Sequence, residues 1–113
     1  MPRVITLGDL PFAGSSHEME GYLNGDAPVT LIFFDGAPGS GPKLHRHPYA
    51  EIFIVQEGTA TFTVDGETFQ VHGGQIAMAP AGVPHKFVNS GSEATRHVDI
   101  HISPRMITTW LEE

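Results

Sequence analysis

Residues 59–72 read Thr59-Ala-Thr-Phe-Thr-Val-Asp-Gly-Glu-Thr-Phe-Gln-Val-His72. Apolar and polar residues alternate on both sides of Asp65-Gly66, so each half presents one apolar face when it is extended. Asp-Gly is a favoured pair for the two-residue type I′ turn that joins antiparallel strands. The stretch therefore predicts a β-hairpin with one buried face.

The rest of the chain repeats this pattern of short extended segments. Five further segments have the length and composition of strands, and turns rich in Gly and Pro separate most of them: Val29–Phe34, Glu51–Glu57, Gln75–Met78, His85–Asn89 and Ala94–Ile102. The segment 51–57 is apolar on both faces, which is typical of a central strand or of a strand at an interface. About seven or eight strands at intervals of roughly a dozen residues predict one all-β domain over residues 1–113, an antiparallel sandwich or barrel.

The sequence after the last strand has a different pattern. Ser103 is a favoured N-cap residue, and Pro104 is favoured at the first position of a helix. One helical face would carry four apolar side chains, those of Met106, Ile107, Trp110 and Leu111. We therefore expect a short C-terminal helix over about 104–112, packed on the outside of the barrel or on a partner subunit.

Composition and charge exclude several classes of protein. With 113 residues, of which 40% are hydrophobic and 17% are charged, the chain fits one globular domain rather than a disordered segment. The formal net charge of −7 argues against a nucleic-acid partner, and the lack of Cys excludes disulfides and thiolate metal sites. The longest apolar run, Val29–Phe34, is too short to span a membrane, and no apolar leader is evident at the N-terminus. We expect a cytoplasmic protein with no membrane partner.

Four residues form the clearest chemical pattern in the sequence, namely His45, His47, Glu51 and His85. Residues two apart on a strand point to the same face, so His45 and His47 share a side, and Glu51 has the same parity. Phe53 continues that face as apolar, which identifies it as the inward one. His85 follows a turn further along the chain and can join the cluster from another strand.

Neutral imidazoles and a carboxylate suit one divalent transition metal, such as Mn, Fe, Co, Ni, Cu or Zn. Four protein ligands on an octahedral ion would leave two positions for water, dioxygen or a chelating substrate. The alternative is that these residues are ordinary polar groups near a barrel mouth, satisfied by hydrogen bonds without a metal. A short motif such as His-x-His leaves both interpretations open.

The spacing of these residues resembles two motifs of the cupin family. The first motif, Gly-x5-His-x-His-x3-Glu-x6-Gly, is matched by Gly39, His45, His47, Glu51 and Gly58. The second motif, Gly-x5-Pro-x-Gly-x2-His-x3-Asn, is matched by Gly74, Pro80, Gly82, His85 and Asn89. The motifs cover residues 39–58 and 74–89, and the short interval between them is typical of small prokaryotic members of the family.

This resemblance implies a fold, a cofactor and a set of partners. The fold is a cupin-type jelly-roll barrel of antiparallel strands, and the cofactor is one metal ion, held by His45, His47, Glu51 and His85. The implied partners are a small-molecule ligand or substrate and a second copy of the chain. Single-domain cupins commonly form homodimers through one sheet, and the two-sided apolar segment 51–57 fits such an interface.

Three functions are compatible with a small metal-binding cupin. The first is a metal-dependent enzyme of the oxygenase type, such as a dioxygenase, that acts on a small organic molecule. The second is a redox-neutral isomerase, decarboxylase or lyase that uses the metal as a Lewis acid. The third is a non-catalytic protein that binds or senses a small molecule. The intact set of four ligands favours the two enzymes.

Other ionisable residues are further catalytic candidates beside Glu51 itself. His97, Asp99 and His101 share one face of the last strand and alternate with apolar residues, which favours a solvated face. In the opposite register, His101 or Asp99 would support a metal ligand or act as a general base. Lys43 has the parity of the paired histidines and would attract an anionic substrate, unless it is an ordinary exposed charge.

Overall fold

The computed structural model describes residues 3–112, which form two antiparallel β-sheets. The strands are numbered along the chain. The six-stranded sheet contains, in spatial order, β1 (Phe12–Ala13), β2 (Ser16–Glu20), β3 (Thr30–Gly36), β10 (Thr95–His101), β5 (Glu51–Glu57) and β8 (Ile76–Ala79). The five-stranded sheet contains, in spatial order, β11 (Thr109–Trp110), β4 (His45–Arg46), β9 (His85–Asn89), β6 (Thr59–Val64) and β7 (Glu67–His72).

This architecture confirms the predicted all-β class and is consistent with a jelly roll. Helical structure within residues 3–112 is limited to two short 3-10 turns, Leu7–Asp9 and Gly21–Leu23. Accordingly, no helix in this part of the chain is long and apolar enough to cross a membrane.

The predicted hairpin is present as β6 and β7. Val64 pairs with Glu67, and the two turn residues between them, Asp65 and Gly66, have φ angles of 52° and 79°. Positive φ at both central positions is the requirement of a type I′ turn, which Gly meets without strain. The hairpin forms because the turn sequence and the strand alternation favour the same register.

The core lies between the two sheets and is built from alternate residues of their strands. Phe53 on β5 and Phe62 on β6 face each other across it, with ring centroids 4.9 Å apart and almost no exposure to solvent. The other buried apolar side chains of this cluster are Phe34, Val55, Ala60, Val64, Val71, Ala77, Ala79 and Phe87. Burial of these rings and aliphatic groups provides the main favourable free energy of folding.

The outer face of the six-stranded sheet is also apolar, unlike the usual polar outer face of an antiparallel sheet. Cross-strand pairing arranges its side chains in two rows. One row contains Met19, Leu31, Ile100, Ile52 and Met78, and the other contains His17, Phe33, Val98, Ile54 and Ile76. We call these residues the outer apolar face. Ile76 and Met78 on edge strand β8 are 63% and 61% exposed.

The predicted C-terminal helix over about 104–112 is wrong. Thr109–Trp110 is instead the short strand β11, which pairs with β4 so that Trp110 lies opposite His45. The hydroxyl of Ser103 bonds the backbone of Arg105 in a local turn rather than capping a helix. The extended tail forms backbone hydrogen bonds with the otherwise free edge of β4. A helix in this position would leave those N–H and C=O groups of β4 without partners.

Candidate metal centre

His45, His47, Glu51 and His85 converge at one end of the barrel interior. Their potential ligand atoms all lie within 4.8 Å of one another, and all four side chains are buried. His45 on β4 and His85 on β9 are direct cross-strand partners, whereas Glu51 is the first residue of β5 in the other sheet. The cluster therefore joins the two sheets: the four side chains converge as expected, but His45 and Glu51 come from different sheets rather than from one continuous strand face.

Each of the three imidazole rings is oriented by a backbone carbonyl. His45 Nδ1 donates a hydrogen bond to Lys43 O at 2.6 Å. In the same way, His47 Nδ1 donates to Ile107 O at 2.8 Å, and His85 Nδ1 donates to Val83 O at 3.0 Å. A carbonyl can only accept, so Nδ1 must carry the proton in each ring. The Nε2 atom of each neutral ring is then left with a lone pair, which is the form that binds metals.

The Nε2 atoms meet the carboxylate of Glu51. Glu51 Oε1 lies 3.0 Å from His47 Nε2 and 3.1 Å from His85 Nε2. Lone pairs at this separation require a proton or a cation between them, and His47 Nε2 is buried without any hydrogen-bond partner. Three imidazoles and one carboxylate thus fit a divalent transition-metal ion.

Electrostatics act differently on the members of this set. Burial alone would lower the pKa of His85, but its contacts with Glu51 and with the carbonyl of Val83 raise it, so a bound cation would have to replace a proton there. Burial lowers the pKa of His45 to about 4, so this ring is neutral near pH 7. Burial alone would raise the pKa of Glu51, but hydrogen bonding, foremost from His101 Nε2–H, holds it well below its usual value. Glu51 is therefore an ionised carboxylate.

A chain of hydrogen bonds holds the second oxygen of Glu51. The backbone N–H of Ile107 donates to the Tyr49 hydroxyl at 3.2 Å, which lies 2.6 Å from His101 Nδ1. His101 Nε2 lies 3.1 Å from Glu51 Oε2. The backbone N–H can only donate and the carboxylate can only accept, so the Tyr49 hydroxyl donates to Nδ1 and Nε2–H donates to Glu51. Oε1 remains available to the metal.

The other candidate residues occupy different surroundings. His97, Asp99 and His101 are buried, so the solvated face favoured for them from the sequence is wrong. His97 Nδ1 bonds Asp99 Oδ1 at 2.5 Å elsewhere in the barrel interior, and His101 contacts Glu51. Lys43 is exposed and does not line the cavity over the metal centre; only its carbonyl contacts the site, through His45.

A cavity of about 500 Å³ opens over the centre. Its walls include His45, His47 and Glu51 on one side, and Met106 and Trp110 from the C-terminal tail on another. The ring of Trp110 lies 5.1 Å from that of His45, between centroids. The metal ligands are therefore accessible from a chamber large enough for a small organic molecule.

The family model for the cupin domain matches residues 32–101, which include the entire metal centre and more than half of the chain. This chain belongs to the cupin family. The resemblance drawn from the two sequence motifs is confirmed.

Known proteins similar to this cupin include a curated relative and several solved structures. Polyketide synthase CurC of Streptomyces cyaneus is 43% identical over 68 residues, covering 59% of this chain and 44% of CurC, so the match spans less than half of that relative. An oxalate oxidase structure superposes with a TM-score of 0.79 at 20% identity over 96% of this chain and 63% of that one. Bacillus subtilis oxalate decarboxylase, studied for its Mn(II) centres, gives 0.78 at 22% identity over 91% of this chain and 29% of that one. At such identities the structures share the fold alone.

Several residues around the site of this cupin were not identified from the sequence. Tyr49 stacks on His47 with ring centroids 5.0 Å apart and an interplanar angle of 8°. Its odd parity, shared with the ligands, could have identified it. Thr108 and Ile107 contact His47 from the tail, and no local pattern in the sequence indicates that long-range contact.

Proposed function

We propose that this cupin is a metal-dependent enzyme of the oxygenase type that acts on a small organic molecule. The observation that carries the proposal is the convergence of three imidazoles and one carboxylate on a point at the wall of the 500 Å³ cavity. A buried cluster of this kind without any neighbouring cavity would suit a structural metal instead. Here three of the four residues that would hold the ion, His45, His47 and Glu51, also line the space for a substrate.

The residues of the site have distinct proposed roles. His45, His47, His85 and Glu51 would hold the ion. A bound divalent ion would supply Lewis acidity and, for Mn, Fe, Ni or Cu, electron transfer to dioxygen. His101 would act as a positioning residue, since it occupies Oε2 of Glu51 and leaves Oε1 free. Lys43 would at most attract charged molecules to the mouth, because its side chain is exposed.

The similar proteins support an enzyme but leave the reaction type open. Two structural neighbours are an oxalate oxidase and an oxalate decarboxylase, so the fold accommodates both kinds of chemistry. A redox-neutral decarboxylase, isomerase or lyase is therefore the second candidate. The name of CurC adds polyketide intermediates to the substrate types to be tested.

The test combines metal analysis with turnover. Protein purified without chelators should contain about one transition-metal ion per chain by elemental analysis, and His45→Ala with His47→Ala should contain none. Oxygen consumption with diketones, phenols or thiol acids would support the oxygenase, and substrate loss without oxygen consumption would support the redox-neutral enzyme. Stoichiometric metal in the double variant would contradict the proposed site. Tight binding of one of these compounds without turnover would favour a sensor.

We also propose that the protein forms a homodimer through the outer apolar face. Nine of its ten side chains are apolar, and those of Ile76 and Met78 at one edge are largely exposed. A second copy of the same face would remove this surface from water. Light scattering of the intact chain should give the mass of a dimer, and Ile76→Glu with Met78→Glu should give a monomer that still binds metal. A wild-type monomer would contradict this proposal.

A further inference from the structure

The walls of the cavity over the metal centre are mainly apolar and aromatic. The side chains that form this lining come from both sheets and from the tail, and they include Ile32, Phe34, Phe87, Met106 and Trp110. The polar groups of the lining are four hydroxyls, at Ser15, Ser16, Ser40 and Thr108, and six ionisable side chains, namely Glu18, His45, His47, Glu51, Asp99 and His101. Such a surface favours a ligand that exchanges water for contact with aromatic rings.

No Lys or Arg side chain lines this cavity within residues 3–112. Four of the six Lys and Arg residues contact groups elsewhere: Lys86 pairs with Glu112, Arg96 pairs with Asp35 and Glu57, Arg105 lies over the ring of Tyr22, and Arg3 contacts the backbone of Leu23. Lys43 and Arg46 are exposed outside the cavity. An anionic ligand would find no cation in the lining except the metal itself.

Carboxylates line the cavity instead. Glu18 on β2 and Asp99 on β10 both lie in its wall, in addition to Glu51. At a pH where Glu18 is ionised, a carboxylate in the ligand would face this negative charge across a chamber of low polarity. The lining therefore disfavours carboxylate ligands beyond the first one that the metal can neutralise.

We propose that the cavity takes a neutral, flat, largely apolar molecule with two adjacent oxygen donors, such as an acylated phenol or an enolised diketone. The inference rests on the proposed metal site, since the two oxygens would occupy the two positions left on an octahedral ion. A chamber of about 500 Å³ is in the range of sites for drug-sized ligands, and a dicarboxylate the size of oxalate would leave most of it empty. The substrate class thus differs from the one that the names of the structural neighbours indicate.

The test compares two ligands that differ mainly in charge. An ortho-acetyl naphthol and the ortho-carboxy naphthol with the same ring system are titrated into the metal-loaded protein by calorimetry at about pH 8, with oxalate as a third ligand. We expect the neutral naphthol to bind about tenfold or more tightly than oxalate. Equal or tighter binding of oxalate would overturn the proposal.

Two pairs of variants separate the contributions of the wall. Trp110→Ala should weaken binding of the acetyl naphthol about tenfold and leave oxalate binding unchanged, while Trp110→Phe should retain most of the affinity. Glu18→Gln should tighten binding of the carboxy naphthol about threefold or more without affecting the acetyl naphthol. Glu67→Gln, which makes the same charge change on the exposed hairpin, is the control and should have no effect. Each result is the ratio of the affinities of variant and wild type for the same ligand. The metal's own preference for anions contributes equally to both affinities and therefore does not affect the ratio.

The outcomes also distinguish this inference from the proposed function. If the protein holds a metal but the acetyl naphthol does not bind, the substrate class is wrong and the metal site stands. The protein could instead hold no metal, yet bind the acetyl naphthol with an affinity that Trp110→Ala lowers. In that case the assignment of the cavity stands, and the proposal of a metal-dependent enzyme is wrong. If the naphthol binds equally well to Trp110→Ala and to the wild type, its site lies elsewhere and the inference fails.

Discussion

The barrel interior contains two buried groups of histidine and carboxylate with opposite electrostatics. At the cavity, several imidazoles hold the pKa of Glu51 well below its usual value. Elsewhere in the interior, on β10, burial raises the pKa of Asp99 to about 6, although the adjacent His97 opposes that shift. The same residue types therefore give an ionised carboxylate in one place and a carboxylate that resists ionisation in the other.

The direction of the ring protons explains why only one of these groups suits a metal. His45, His47 and His85 direct Nδ1–H to backbone carbonyls, so their Nε2 lone pairs point at one another and at Glu51. His97 instead uses Nδ1 on Asp99, and its Nε2 is buried without a partner beside the ring of Phe34. A metal site thus depends on where the backbone fixes the second nitrogen of each ring.

The largest expected effect is on metal content. His45→Ala with His47→Ala should abolish bound metal, because the two alanines remove half of the ligands. His97→Asn should retain about one ion per chain, since His97 is not a ligand, and His72→Ala on the exposed hairpin is the matched control. Elemental analysis measures all three. If His97→Asn lost its metal while remaining folded by circular dichroism, the two groups would not be independent.

The C-terminal tail should affect metal affinity next most strongly. Removing residues 106–113 deletes the carbonyl that orients His47 and the strand beside β4, and should weaken metal binding by about 10–100-fold. Ile107→Ala keeps the same backbone groups and should bind metal within about twofold of the wild type. Competition with a chromogenic chelator measures both. Unchanged affinity after the truncation would show that the tail does not orient His47.

Interruption of the hydrogen-bond chain to Glu51 should have a smaller effect. His101→Asn removes the donor to Oε2, and Tyr49→Phe removes the hydroxyl that fixes its tautomer. We expect about tenfold weaker metal binding for the first variant and less for the second. With Mn(II) bound, the electron paramagnetic resonance spectrum should also change in His101→Asn, because both oxygens of Glu51 become free to bind the ion. An identical spectrum and affinity would assign His101 no positioning role.

The smallest predicted effect is the pH dependence contributed by Asp99. Its pKa is raised from 3.8 to about 6 in the folded state, so the folded protein binds this proton more tightly than the unfolded chain does. The resulting stabilisation of the folded state is complete below about pH 4 and is lost as the pH rises through 6. Asp99→Asn removes this dependence. The comparison uses the His45→Ala, His47→Ala variant, which should hold no metal, with and without Asp99→Asn. Between about pH 5 and 7, the free energy of unfolding of the variant with Asp99→Asn should rise relative to that of the variant that retains Asp99, by on the order of 1–2 kcal/mol. Urea denaturation at the two pH values measures it, and a constant difference would show an unshifted Asp99.

The parts predicted correctly from the sequence depend on local spacing. The alternate positions of His45 and His47 put both imidazoles in the interior, and the Asp65-Gly66 turn fixed the hairpin. Both patterns lie within a few residues, where backbone geometry determines which side chains share a face. Glu51 joins the two histidines as predicted, but from the other sheet rather than along one strand face. His85 was also identified, because it follows a turn and begins a strand with a clear alternation.

The errors arose where distant contacts override local pattern. The apolar spacing after Ser103 fits a helix, but the free edge of β4 pairs with that segment instead. On β10, Val98 and Ile100 were expected inside because they are apolar. Both residues belong instead to the outer apolar face. The polar residues of β10 point into the barrel, where His101 contacts Glu51. The choice between helix and strand for the tail, and the choice of the buried face of β10, both depend on which strands lie beside these segments.

The contact between His47 and Ile107 also constrains the order of events during biosynthesis. The two residues are separated by 60 positions, and the imidazole is oriented only when the late segment has docked. A nascent polypeptide that ends before residue 107 would lack the carbonyl that orients His47, although the carbonyls that orient His45 and His85 would already be present. If the proposed centre binds an ion, the complete set of oriented ligands forms only after translation of the tail, so the ion would be selected by the finished barrel.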